Sequence, residues 1–145
     1  MDYERLSKDQ LIAIVRQIQN DRMQNPSAIV ESIRKLKIDY NRENFILLVM
    51  DNKLKILKQK ILFLGSVDQA AVDLKILMRE AISTKRCTGI IVAHNHPSGE
   101  TRPSSEDIKF TKRLSDACKL LHLQFFDSII FTDLNHLSMK EENMM

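Results

Sequence analysis

The run His94-Asn95-His96-Pro97 and the carboxylate of Asp107 supply three side chains that could bind one divalent metal ion. In an extended segment, residues two apart point to the same side, so His94 and His96 can share an ion. Two neutral imidazoles and one carboxylate give the ligand set a single negative charge, which suits Zn²⁺ with water in the fourth position. The sequence therefore predicts a catalytic zinc site, because structural zinc sites use four protein ligands.

The residues around the motif predict two rigid elements that hold these ligands. Cys87–Ala93 is a short apolar run typical of a buried strand, and this strand would end at the histidines. Open α/β sheets bind ligands at that end of their strands. Pro103 and Ser104 predict the start of a helix, with Asp107 in its first turn, where the helix dipole favours a carboxylate. The predicted inward stripe of this helix comprises Ile108, Thr111, Leu114, Cys118 and Leu121.

A simpler interpretation of each residue stays open. Ser104 and Asp107 have the spacing of a capping box, so both could serve only to begin the helix. A single histidine after a strand is more often a polar loop residue than a ligand. Two histidines and a carboxylate at this spacing require three independent coincidences, and we therefore favour the metal site.

Hydrolysis at such a site also needs a general base that takes a proton from water and passes it to the leaving group. Glu43 opens the strand-like run Asn44–Met50 and is the candidate. Spacing alone favours an ordinary solvated carboxylate beside Arg42 instead. The chain has 19 acidic residues, and nothing in the local sequence distinguishes this one.

The motif as a whole resembles the JAMM signature of the MPN-plus (JAB/MPN) metallopeptidases, which is His-x-His-Pro, six residues, Ser, two residues, Asp. The longer string HNHPSGETRPSSEDIKFTKRL is similar to the RadC branch of that superfamily. The similarity begins near Arg42 and continues to about Ser138, roughly the last two-thirds of the chain.

This resemblance implies a role for each matching residue. Glu43 corresponds to the upstream glutamate that acts as the acid/base of the superfamily. His94, His96 and Asp107 correspond to its ligands of Zn²⁺. Ser104 corresponds to the hydroxyl that hydrogen-bonds the developing oxyanion of the tetrahedral intermediate, a role that agrees with the chemistry of acyl transfer.

The order of predicted elements indicates an α/β fold with a mixed sheet flanked by helices. It matches the three-layer, cytidine-deaminase-like MPN/JAB domain that the resemblance implies for residues 41–145, preceded by a helical appendage over residues 1–40. Asn25 is predicted to cap the second helix of that appendage. The predicted helices are Ser7–Asn20, Pro26–Lys35 and Asp68–Ser83, besides the motif helix, and the predicted strands besides the motif strand are Asn44–Met50, Leu54–Leu64, Gln124–Thr132 and Leu137–Lys140.

The sequence departs from the RadC pattern at two places. RadC proteins usually carry a helix-hairpin-helix segment before the catalytic domain, and this sequence contains no such glycine-containing motif. They also commonly read Asp-His-Ile-Ile after the motif helix, where this chain has Asp127-Ser128-Ile129-Ile130. The second change leaves the three expected zinc ligands intact.

The composition of the chain places only weak limits on its size class, partners and location. A chain of 145 residues is the usual size of one domain, and its net charge of +3 is too small to indicate a nucleic-acid partner by itself. No apolar stretch approaches the roughly 20 residues of a membrane span, and residues 1–5 lack the apolar region of a signal peptide. Cys87 and Cys118 fit small core residues in a reducing compartment. We therefore expect a cytoplasmic protein without membrane contact.

The first functional hypothesis is a zinc-dependent metallopeptidase that hydrolyses a peptide or isopeptide bond of a peptide or protein substrate. The resemblance implies that the substrate would lie extended beside a sheet edge. The alternative is a RadC-type DNA-repair-associated or DNA-binding factor whose metal has a structural role. A third hypothesis is an Fe²⁺ oxygenase triad. Glu43 favours the first, because a general base beside an open zinc position has no structural use.

Overall fold

The computed structural model describes residues 3–65 and 72–145 and forms a five-stranded sheet with four α-helices. A 3₁₀ turn, Tyr3–Arg5, precedes the first helix. The helices are α1 (Lys8–Gln24), α2 (Pro26–Arg34), α3 (Leu74–Ile82) and α4 (Ser105–Leu120). The strands are β1 (Glu43–Met50), β2 (Ile56–Gly65), β3 (Gly89–Asn95), β4 (Gln124–Phe131) and β5 (His136–Ser138).

The strands lie in the order β2-β1-β3-β4-β5, and the sheet is mixed. β1 pairs antiparallel with both β2 and β3, β3 pairs parallel with β4 through α4, and β5 returns antiparallel to β4. A parallel pair needs a crossover connection, and α4 supplies it between β3 and β4. The predicted α/β architecture with a mixed sheet flanked by helices is therefore confirmed.

Helices cover both faces of the sheet, so its central strands are buried on both sides. Apart from Glu43, every residue of β1 and β3 is buried, which explains why both strands are nearly continuous apolar runs. One face packs on α2 and the other on α3 and α4. The side chains of β1 toward α2 are Ile46, Leu48 and Met50, and those toward α3 and α4 are Phe45, Leu47 and Val49.

The second helix, α2, is built into the domain core. Asn25 caps it as predicted, since its side chain accepts from the amide of Ser27 at 2.9 Å. The Arg34 guanidinium at its other end donates to the carbonyl oxygen of Thr132 at 2.9 Å, beside β5. Its inward side chains, Ile29, Val30 and Ile33, are 1% exposed or less and share one core with β1. The division between residues 1–40 and 41–145 stays a prediction.

Some element boundaries and faces differ from the predictions. The strand β3 runs two residues past Ala93, so it contains His94 itself. α3 begins after Asp73, which caps it, and the predicted start at residues 68–71 lies outside the described residues. Ile108 and Leu121, predicted to face inward on α4, are each 45% exposed, because only its middle turns lie over the sheet.

The helix α1 carries Leu11 and Val15 at helical spacing, and neither side chain is buried. Leu11 is 38% exposed and Val15 is 51% exposed. Among the described residues, no helix has the length and apolar character needed to cross a bilayer.

Candidate metal centre

The three predicted metal ligands come from the end of β3 and the start of α4. His94 is the next-to-last residue of β3, and His96 follows directly after the strand. Asp107 lies in the first turn of α4. The placement at the carboxyl end of a central strand is the one that open α/β sheets use for ligands, as the sequence predicted.

The structure brings the ligand atoms of these residues together. His94 Nε2 lies 3.2 Å from His96 Nε2 and 3.1 Å from Asp107 Oδ1, and His96 Nε2 lies 3.0 Å from Asp107 Oδ2. Two atoms bound to one tetrahedral zinc at 2.0–2.1 Å lie roughly 3.3 Å apart, so this donor set fits a single ion. Within the part of the chain that the structure describes, this is the one group of three such residues that could hold a metal.

Hydrogen bonds orient the ring of His96 for ligation. Its Nδ1 lies 3.0 Å from the carbonyl oxygen of Glu100, an acceptor that places the ring proton on Nδ1. Nε2 then keeps its lone pair for a metal, which is the arrangement that outer partners impose on metal-binding histidines. The buried Nδ1 of His94 has no partner among the described residues, so Nε2 is the atom of this ring that meets polar groups.

An aromatic pair fixes the ring of His94. Phe45 of β1 stacks on it, with ring centroids 5.9 Å apart and an interplanar angle of 11°. Phe110 of α4 meets Phe45 edge-on at 5.5 Å, one turn after Asp107. The same contacts therefore hold His94 in one orientation and hold α4, with its carboxylate, against β1.

The carboxylate of Asp107 dominates the electrostatics of the group. Its hydrogen bond raises the pKa of His96 above the usual histidine value, and Glu43 adds a smaller contribution of the same sign. Burial acts to raise the pKa of Asp107, but hydrogen bonds from His94 and His96 outweigh it and hold this pKa well below its usual range. Asp107 is therefore ionised at neutral pH, and an incoming cation competes with a proton on His96.

Ser104 lies beside the group as the N-cap of α4. Its hydroxyl oxygen accepts from the amide of Asp107 at 3.0 Å, and Asp107 Oδ2 accepts from the amide of Ser104 at 2.8 Å. The capping box that the sequence offered as the simpler interpretation is therefore present. The hydroxyl proton has no acceptor in the described part of the chain, so Ser104 can cap the helix and still donate one hydrogen bond.

Glu43 lies at the same end of the sheet, but it does not join the ligand group. It is the half-buried first residue of β1, on the face of the sheet that carries α3, α4 and the side chain of Phe45. The ladder pairs Phe45 with His94, so continuing this antiparallel register by two residues brings Glu43 opposite His96. Its carboxylate has no hydrogen bond or ion pair with another described residue.

Ser128, which stands where RadC proteins commonly have histidine, lies beneath the site. It is 1% exposed and pairs with Val92 across the β3–β4 ladder. The hydroxyl of Thr111, one helical turn after Asp107, donates to Ser128 Oγ at 3.4 Å. This hydroxyl pair lies between α4 and β4, and among the described residues neither hydroxyl hydrogen-bonds to a ligand atom.

Sequence reasoning missed several residues that hold the site in place. The sequence pattern shows Phe45 and Phe110 only as apolar residues, and it does not single out Asn44 or Asn95. Asn44 is 1% exposed and Asn95 is fully buried, and they hydrogen-bond to each other across β1 and β3. A polar residue at the end of an apolar strand run is the signal that could have identified them, because buried amides need partners.

Comparison with known families agrees with the site. A family model described as the RadC-like JAB domain matches residues 23–144. The chain belongs to this family. The RadC resemblance drawn from the HNHPSG motif is thereby confirmed, and α2, which packs into the core, falls within the matched region.

Several bacterial members of the RadC family are similar over most of this chain, and each is named only as a UPF0758 protein. A protein of Aquifex aeolicus is 34% identical over 123 residues, covering 85% of this chain and 52% of that protein. An Enterococcus faecalis protein is 37% identical, covering 70% and 44%. A Vibrio cholerae protein is 36% identical, covering 81% and 74%. The chain spans about half the length of the first two relatives.

Proposed function

We propose that this RadC-family chain is a zinc-dependent hydrolase that cleaves a peptide or isopeptide bond, with Zn²⁺ held by His94, His96 and Asp107. The observation that carries the proposal is the convergence of three side chains: the Nε2 atoms of His94 and His96 lie 3.2 Å apart, and each lies within 3.1 Å of one carboxylate oxygen of Asp107. Three protein ligands with a further position left for water are the composition of catalytic zinc sites. A zinc ion there supplies Lewis acidity, which polarises a carbonyl and lowers the pKa of water toward about 7.

The chain's own residues divide the remaining chemistry between them. Glu43 accepts a proton from water and later delivers it to the leaving amine, as a general base and then a general acid. Ser104 donates its free hydroxyl hydrogen to the oxygen on which negative charge develops. The side chains of His96 and Asp107 are 18% and 15% exposed, so a substrate carbonyl can reach the group from solvent.

The proposed substrate is an extended peptide or a protein segment. An extended chain can add to the free edge of a sheet, where backbone hydrogen bonds give affinity with little side-chain selectivity. The edge strand β2 ends at Gly65, opposite Glu43, and therefore leads toward the site.

A cytoplasmic location also stays a prediction, in line with the free thiols of Cys87 and Cys118.

The test is hydrolysis by the zinc-loaded protein of a quenched-fluorescence peptide library and a panel of isopeptide-linked peptides. We expect cleavage that a chelator abolishes and that stoichiometric Zn²⁺ restores. A folded protein with one zinc per chain that cleaves none of these substrates would contradict the proposal. Specific binding of duplex DNA by that protein would favour the DNA-associated alternative instead.

Ser104→Ala is expected to lower both stability and turnover, because the hydroxyl has two uses. Loss of the N-cap costs about 1 kcal/mol of unfolding free energy, and loss of an oxyanion donor lowers kcat by about 100-fold or more. The matched control is Asn25→Ala, which removes the N-cap of α2 far from the metal group. Urea unfolding and steady-state kinetics on both variants distinguish the two roles of Ser104. If both variants lose stability and both keep the wild-type turnover, Ser104 caps the helix and does not act in catalysis.

A further inference from the structure

Asn95, the residue between the two histidines, binds the backbone on both sides of Glu43. Its Nδ2 donates to the carbonyl oxygen of Arg42 at 2.8 Å, and its Oδ1 accepts from the amide of Asn44 at 2.7 Å. These two peptide groups are the ones that flank Glu43 in the chain. The partners also fix the orientation of the amide, because a nitrogen must face the carbonyl and an oxygen must face the N–H.

A second amide reinforces these contacts. Asn44 Nδ2 donates to the carbonyl oxygens of Asp39 and Arg42 at 2.9 and 3.0 Å, and it also lies 3.0 Å from Asn95 Oδ1. Both asparagines are buried, so an unpaired amide here would carry the desolvation penalty of a lost hydrogen bond. The Asn44–Asn95 network therefore holds residues 39–44 in one conformation against the end of β3.

The network begins where the strand pairing stops. The last Cα pair of the β1–β3 ladder joins Phe45 and His94, and Glu43 lies beyond it. A side-chain amide carries the same donor and acceptor as a peptide group, so the side chain of Asn95, the last residue of β3, continues the attachment of β1 beyond the last Cα pair of their ladder. Without Asn95, Glu43 would keep its pairing with Gly65 of β2 but would lose its attachment to β3, the strand that leads to the histidines.

We propose that Asn95 is a positioning residue, which sets the distance between the Glu43 carboxylate and the metal ligands. The inference rests on the proposed function, in which Glu43 transfers protons. Asn95 is bonded covalently to His94 and His96 and by hydrogen bonds to both peptide groups of Glu43, so one residue links the ligands to the base. Among the described residues, the Glu43 carboxylate makes no hydrogen bond or ion pair, so its position depends on how its backbone is held.

Two variants test the link, with a matched control. Asn95→Ala removes both hydrogen bonds, and Asn95→Asp keeps the acceptor for Asn44 but turns an oxygen toward the Arg42 carbonyl. The control, Ser138→Ala, removes a buried hydrogen bond to Asp127 on the face of the sheet that carries α2, opposite the face of the metal ligands. The three proteins and wild type are compared by zinc content, crystal structure with zinc bound, and steady-state kinetics on a cleaved peptide.

Both Asn95 variants are expected to keep full zinc, because the three ligands are unchanged. Their crystal structures should show the Glu43 carboxylate farther from the metal than in wild type. Turnover should fall about 100-fold with KM changed less than threefold, since a displacement of about 1 Å costs that much in a proton-transfer geometry. Ser138→Ala should retain the wild-type kcat.

Three results would overturn the inference: loss of zinc in the Asn95 variants, an unmoved Glu43, or a kcat equal to that of Ser138→Ala. If Asn95→Ala fails to fold, Asn95→Asp, which keeps the side-chain volume and the acceptor for the Asn44 amide, carries the same comparisons. If wild type itself cleaves no peptide, the proposed function fails, and the measured position of Glu43 in the zinc-bound crystals still decides whether Asn95 holds it.

Discussion

Asp107→Ala is expected to abolish stoichiometric zinc binding, from close to one ion per chain in wild type to about one tenth or less. The variant removes both carboxylate oxygens, which lie 3.0 and 3.1 Å from the imidazole nitrogens. Loss of an outer partner alone weakens metal binding 10–100-fold, and loss of a ligand has a larger effect. Elemental mass spectrometry of protein purified without added metal measures this directly.

Glu106→Ala is the matched control for this change. Glu106 is the exposed neighbour of Asp107 in the first turn of α4, and its carboxylate accepts from Ser105 rather than from a histidine. Added Zn²⁺ should raise the melting temperature of wild type and of Glu106→Ala, because binding to the folded state stabilises it. It should not raise that of Asp107→Ala. Equal zinc content in the two alanine variants would mean that this group is not the metal centre.

The metal group could be predicted from the sequence because its geometry is local. His94 and His96 share one strand end, and Asp107 follows on the next helix, so a short segment fixes all three. The alternation of side chains in an extended segment and the start of a helix each depend on only a few neighbouring residues, so both can be predicted from the local sequence.

The partners of this segment could not be predicted in the same way. Glu43 lies at the same end of the sheet because β1 pairs with β3, and the local spacing of residues does not show which strands pair. The resemblance to RadC proteins pointed to this residue, and the local sequence did not. The Asn44–Asn95 contacts depend on the same pairing, so they appear only in the folded chain.

Helical periodicity alone also does not predict which side chains are buried. Residues at helical spacing on α4 share a stripe, but the stripe is buried only where another element covers it. Leu114 lies over the sheet and is fully buried, whereas Leu121 follows the last turn and is 45% exposed. On α1, Leu11 and Val15 have the right spacing and remain largely exposed. Spacing predicts a face, and only the tertiary fold determines whether that face is covered.

Glu43→Gln is expected to lower hydrolysis by roughly 10²–10⁴-fold and to leave zinc binding unchanged. Glutamine has the size of glutamate but accepts no proton at neutral pH, and general-base catalysis contributes about that factor. The two imidazole nitrogens and the Asp107 carboxylate converge without any contribution from Glu43, so the metal should stay. Zinc content and kcat are measured on the same preparation.

The control for that variant is Glu106→Gln, which removes a carboxylate from the exposed side of α4 without touching the proposed base. Its kcat should match wild type. Loss of zinc in Glu43→Gln would make Glu43 a ligand, and unchanged turnover would place the base elsewhere. Because the proposed ligands lie at the end of β3 and on α4 while Glu43 lies on β1, we expect that metal binding and proton transfer can be removed separately.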